Sequence, residues 1–188
     1  MSDPWDIPPF PDRGDEDEDS VYRGVGYAMS EWERVEVELA ELYTIAIERP
    51  NELQSIKDYG TPTNFDQRVT QLCTKTHAWF ARNSAPQDLE AKFDELVRIV
   101  RGWAARRNDI AHGIVQPMHH QLRYIQQVID EGRTRYALVP AFYTHRKHDM
   151  NYRPNYCYSA AELEAIVVGF FSARQAVAHF RRLISPDE

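Results

Sequence analysis

Apolar side chains recur every three or four residues over most of the chain, the spacing that gathers them on one face of a helix. Between Val21 and Ile47, the positions Val25, Met29, Trp32, Leu39, Tyr43 and Ala46 fit one face, and Pro50 ends the element. Residues 51–61 predict a short helical turn or loop closed by Gly60. A second long helix is expected from Thr63, placed to cap it with Asp66 three residues on. Its stripe is Phe65, Val69, Leu72, Thr76 and Trp79 or Phe80, and Asn83, Ser84 and Pro86 mark a turn. The third long helix is the most regular. Leu89, Phe93, Leu96, Val100 and Trp103 step by four, three, four and three, and the same step then falls on Arg107, Ile110 and Ile114. A helix ending near Gly113 thus carries an arginine where the pattern reserves an apolar side chain.

The stretch 114–158 breaks this rhythm. Met118–Asp130 predicts a helix with Leu122, Ile125 and Ile129 on one face and Gly132 after it. Thr134–Pro140 predicts a short strand, and the polar run from Pro140 to Pro154 a hairpin or extended loop. Ser159 with Glu162 forms a capping box for a last helix, with Leu163, Ile166, Phe170, Ala173, Val177, Phe180 and Ile184 as its stripe. Long amphipathic helices without regular strand–helix alternation predict an all-α fold. The expected form is a bundle of four to five long helices, with a small strand or hairpin insertion (114–158) before the last helix.

Charge changes the picture once it is divided. Of 29 acids and 22 bases, eight acids and one base lie in residues 1–20, which leaves 21 of each in the remainder. The net charge of −7 therefore belongs to a proline-containing acidic segment, and the body is neutral. Such a segment buries too little surface to order itself, so residues 1–20 are expected to be a disordered acidic tail ahead of one domain over 21–188. It either solubilises the chain or competes with nucleic acid for a basic surface. No apolar run approaches the ~20 residues of a membrane span, and the first twenty residues lack the basic-then-apolar order of a secretory signal. Cys73 and Cys157 are too few for a disulfide framework. A cytoplasmic location is expected.

Candidate chemistry concentrates in Arg107-Asn108-Asp109-Ile110-Ala111-His112-Gly113. Asn108 and His112, four apart, share a helix face. Arg107 and His112 stand about 140° apart at ~100° per residue, so a straight helix does not aim both at one spot. Either the helix loosens near Gly113, or a second subunit completes the site. Histidine moves protons near neutral pH, arginine forks onto phosphate, and asparagine orients. The set suits RNA cleavage by attack of the 2′-hydroxyl on the adjacent phosphate, which needs no metal. The plainer alternative pairs Arg107 with a buried acid and makes His112 a helix cap.

In the insertion, His145, Arg146, Lys147, His148 and Arg153 alternate with Tyr143, Tyr152, Tyr156 and Tyr158. Basic groups interleaved with aromatics suit single-stranded nucleic acid, unless the loop is solvated and its tyrosines pack inward. Arg106, Tyr143, His145, Arg146, Lys147 and Arg153 are the candidate substrate-binding residues. Arg101 adds charge near the motif, whereas Arg174, Arg181 and Arg182 read as an exposed helix face. His119, His120, His145, His148 and Cys157 match no standard zinc spacing, so neither metal nor cofactor is expected. Cys73, His77 and His179 read as core or structural positions.

The run RRNDIAHG resembles the signature of HEPN domains, an all-α family, in its arginine–polar–three residues–histidine form with a small residue before the histidine and glycine after it. The resemblance covers roughly residues 21–113 and 159–185, and the motif ends the third long helix, as it does in that family. It implies a bundle of about four helices, a site formed at a homodimer interface and metal-independent ribonuclease activity, with a defence or toxin–antitoxin setting as its context. Arg107 and His112 carry over as catalytic residues and Asn108 as the variable polar position. The 45-residue insertion departs from minimal members of the family. Its open readings are a gate over the site, a substrate-binding element or the mark of a branch that has lost catalysis. Two readings compete with the ribonuclease: a non-catalytic HEPN-like module that binds nucleotide, RNA or protein, and a purely structural helical dimer.

Overall fold

The computed structural model describes residues 3–9, 11, 14–48, 52–118, 135–150 and 153–185. Among them the chain is all-α, with one small antiparallel strand pair before the last helix. The helices are α1 (Glu18–Ile47), α2 (Glu52–Tyr59), α3 (Phe65–Asn83), α4 (Gln87–Ala111) and α5 (Ala160–Ile184). Strands β1 (Gly113–Pro117) and β2 (Tyr136–Pro140) and a 3-10 turn over His145–Lys147 lie between α4 and α5. Apart from Met118, the helix expected over Met118–Asp130 lies outside the described residues, as do His119, His120 and Tyr152. No helix among the described residues is long and apolar enough to cross a membrane.

The chain divides into two compact units, to both of which α1, α4 and α5 supply residues. The second unit, Trp32–Ala104 with Phe170–Glu188, has an aromatic core. Trp32 meets Phe65 and Phe170 edge-on with ring centroids 5.2 Å apart in each case, and Phe80, Phe93 and Phe180 form a second cluster. Each such pair contributes roughly 0.5–1.5 kcal/mol beyond its area burial. Glu36 is buried here and is held by both arms of Arg68, at 2.6 Å from Nη2 and 3.2 Å from Nε, and by the Tyr59 hydroxyl at 3.1 Å. The N-cap of α3 is Asn64, not Thr63, because the Asn64 Oδ1 accepts the Gln67 N–H at 2.9 Å.

The first unit, Met1–Glu31 with Ala105–Gly169, contains the strand pair. β1 and β2 run antiparallel, from Gly113 opposite Pro140 to Pro117 opposite Tyr136. β1 was not foreseen. Its five residues fell partly on the helical stripe, and the pairing partner that makes it a strand lies over twenty residues away. Helix α4 accordingly stops at Ala111 and the chain turns into strand at Gly113. A Cβ at Gly113 would meet the Leu138 side chain at 2.8 Å and the Asp109 carbonyl oxygen at 3.0 Å, so the switch needs glycine for space. Met118, Ala137, Val139 and Cys157 form a buried cluster. Burial, reinforced by the Glu162 charge, pushes the Cys157 thiol from the ordinary 9.0 up to about 12.

The end of the acidic segment departs from expectation. Helix α1 begins at Glu18, and the Asp17 carboxylate accepts the Ser20 N–H at 2.8 Å. Asp15 exchanges two backbone hydrogen bonds with Tyr136, each 2.9 Å. Its side chain accepts the Ala160 N–H at 2.8 Å, at the first residue of α5. The rest of that helix start follows the capping box. Ser159 N–H donates to Glu162 at 2.8 Å, the Ser159 hydroxyl bonds the same carboxylate, and its oxygen accepts the Ala161 N–H at 3.2 Å. Asp15 therefore belongs to the folded unit, because it satisfies a helix donor that has no partner within the helix.

Candidate functional site

The last turn of α4 divides its polar residues into two sets. At ~100° per residue, positions 106 and 107 fall about 60° to one side and 40° to the other of Trp103. Either could continue the buried stripe, and the fold chooses Arg106, which is 6% exposed, while Arg107 is only partly buried. Arg106 Nη1 lies 3.4 Å from the Asp109 carboxylate and 3.3 Å from the Tyr158 hydroxyl. Asp109, 1% exposed, also accepts from Lys147 Nζ at 2.7 Å and from the Tyr158 hydroxyl at 3.0 Å. Its backbone carbonyl accepts the Tyr156 hydroxyl at 2.8 Å. A buried carboxylate is tolerable only with partners of this kind. Burial first, and the Asp109 charge second, push both phenols above their ordinary value, so Tyr156 and Tyr158 stay protonated donors.

Arg107, Asn108 and His112 form the other set. Asn108 and His112 are exposed. His112 lies one residue beyond α4, yet its N–H still donates to the Asn108 carbonyl at 3.2 Å, which keeps it in helical register. The two side chains are thus about 40° apart in azimuth. Arg107 Nη1 donates to Asn108 Oδ1 at 3.1 Å. That bond ties Arg107 to the neighbour that shares a helix face with His112. The structure thus joins Arg107 to Asn108 through one hydrogen bond, and His112 follows Asn108 by one helical turn. The Arg107 Nε is shielded from solvent and has no acceptor among the described residues.

The insertion places its candidates unevenly. Arg106, expected at a substrate surface, is instead enclosed with Asp109 because the packed turn needs a cation there. Lys147 is half-buried and paired with the same carboxylate. Tyr156 and Tyr158 are buried and stack on each other with centroids 5.0 Å apart. Tyr143, His145, Arg146 and Arg153 are exposed. Arg153 donates its backbone N–H to Asp149 Oδ1 at 2.9 Å. Sequence reasoning missed Asp109, whose spacing of three from Arg106 was the available signal, and Phe142, whose signal was an aromatic beside Tyr143 in a polar run. Among the described residues, no three His, Cys, Asp or Glu side chains converge as metal ligands.

Comparison with known proteins finds no matching family model, no similar curated protein and no similar solved structure.

Proposed function

We propose that this chain is a metal-independent endoribonuclease of the HEPN type that acts as a homodimer. The observation that supports this most is the division of labour in the last turn of α4. Arg106 and Asp109 are consumed in internal pairing, while Asn108 and His112 stay exposed in helical register and Arg107 bonds Asn108. In this reading Arg107 holds the scissile phosphate and stabilises its added negative charge. His112 transfers a proton or orients the 2′-hydroxyl, and Asn108 keeps the guanidinium and imidazole on one side. In the dimer the two motif helices approach each other across a two-fold axis.

The test is cleavage by the purified full chain. RNA is cut, DNA of the same sequence is spared, chelator has no effect, and the products end in 2′,3′-cyclic phosphate. His112→Ala lowers the rate about 10²-fold or more, and Arg107→Ala about 10²–10³-fold. Arg107→Lys rescues only in part, because a point charge lacks the planar fork. The His112→Ala melting temperature stays at the parent value, since His112 is exposed. Light scattering that shows a monomer at micromolar concentration overturns the dimer. If no RNA is cut, or if His112→Ala cuts like the parent, the catalytic reading fails and a non-catalytic binding module takes its place.

A further inference from the structure

Residues 141–148 form a loop tied at both ends to the turn that carries His112. At one end Pro140 pairs with Gly113, the residue after His112. At the other, Lys147 returns to Asp109, three residues before His112. With ~5.5 Å across a ladder pair and ~3.8 Å per residue, the Phe142 Cα lies within about 13 Å of the Gly113 Cα. Internal hydrogen bonds hold the loop. Lys147 N–H donates to the Thr144 carbonyl at 2.8 Å, and Asn155 N–H to the Lys147 carbonyl at 2.9 Å.

The loop turns Phe142, Tyr143, His145 and Arg146 outward, while Lys147 turns in to Asp109. Phe142 is 62% exposed and Tyr143 75% exposed. The Phe142 ring lies parallel to the His148 imidazole, at 5° with centroids 5.9 Å apart. His148 Nδ1 is 3.2 Å from the Thr144 carbonyl. A carbonyl only accepts, so that nitrogen carries the proton, and the bond fixes the imidazole that backs Phe142. His145 and Arg146 are exposed beside this platform. The nearest acid in sequence, Asp149, already accepts the Arg153 N–H.

From this arrangement we infer that the 141–148 loop is a base-stacking site for single-stranded RNA, in which an unpaired base next to the scissile bond lies on Phe142 while Arg146 and His145 contact the phosphates. Stacking on a flat ring accepts any base, and cations beside it supply sequence-independent affinity. A duplex keeps its bases stacked internally, so it has no free face to offer. The loop is attached to the His112 turn, so the stacked base also sets the register of the strand against the motif. The inference takes its substrate from the proposed function, but binding does not depend on cleavage.

The experiment measures binding and cleavage separately. In the His112→Ala background, fluorescence anisotropy is read with a labelled single-stranded RNA oligonucleotide and with the blunt RNA duplex of the same sequence. The single strand binds more tightly. Phe142→Ala weakens that binding by about 10-fold or more, Phe142→Trp retains it, and Arg146→Ala lowers the slope of log affinity against log salt by about one. In the parent protein, Phe142→Ala raises KM more than it lowers kcat. Duplex binding as tight as the single strand, or Phe142→Ala equal to its background, overturns the inference. So does the absence of any oligonucleotide binding, which would leave the exposed aromatics to a protein partner. Binding through Phe142 without cleavage in the parent removes the nuclease reading and leaves this one standing. Cleavage that is indifferent to Phe142 does the reverse.

Discussion

Two buried carboxylates use the same chemistry to different ends. Glu36 in one unit and Asp109 in the other each combine an arginine with a tyrosine hydroxyl. Around Glu36 the partners come from α2 and α3, and the arginine engages through two parallel bonds, so the cluster fastens helix to helix. Around Asp109 only Arg106 is local. Lys147, Tyr156 and Tyr158 arrive from 38 to 49 residues further along the chain. Asp109 also stands next to Asn108 and three residues before His112. A carboxylate that elsewhere would be structural filling here couples the candidate site to its insertion.

The comparison breaks most visibly at Asp109. Asp109→Ala leaves Arg106 enclosed without its counter-charge, and such losses cost about 3–5 kcal/mol. Urea denaturation should show that fall, and cleavage per folded molecule should fall with it as the last turn of α4 loses its hold on the insertion. A loss confined to stability would make Asp109 the equivalent of Glu36. Glu36→Gln should cost less, about 1–3 kcal/mol, because Gln keeps one acceptor and the Arg68 side chain, 17% exposed, reaches water. Its cleavage rate and RNA affinity should match the parent. A fall in rate would mean that the two clusters are not separate in function.

The smallest effect tests how tightly the segment carrying Tyr156 and Tyr158 is closed. Between these tyrosines, Cys157 has its thiol raised by burial from 9.0 to about 12. A raised acid binds more protons folded than unfolded above pH 9, so its share of stability is complete below pH 9 and drains away as pH climbs toward 12. Between pH 9 and 10 the loss is about 1 kcal/mol. Cys157→Ala should flatten that part of the stability–pH curve. An unchanged curve would mean that the segment opens to solvent more readily than Asp109 and its partners imply.

These clusters also mark where sequence stops being legible. The long helices, the capping box at Ser159 and the strand at Tyr136–Pro140 could be read because their signals are local and repeated. That Asn108 and His112 share a helix face was legible from their spacing, and the structure leaves both exposed. The stripe itself misassigned the buried arginine by one residue, because alternating steps of three and four bracket the true 3.6-residue turn without choosing between 106 and 107. Asp109 drew no separate reading within the motif run. Its burial rests on Arg106, three residues before it, and on Lys147, Tyr156 and Tyr158, which are remote in sequence. Asp15 is the extreme case, a member of an acidic run whose hydrogen-bond donor lies 145 residues away.

The junction at His112 has a consequence for entropy. Behind the histidine, its own N–H is fixed in helical register, and ahead of it Gly113 is already paired in a strand and pressed against Leu138. Fixing one residue's backbone costs roughly 1–2 kcal/mol, and at His112 folding has met that cost before any ligand arrives. What remains free is rotation of one imidazole about two bonds. A histidine on a mobile loop would have to be ordered anew at every encounter. This one needs only to turn its ring.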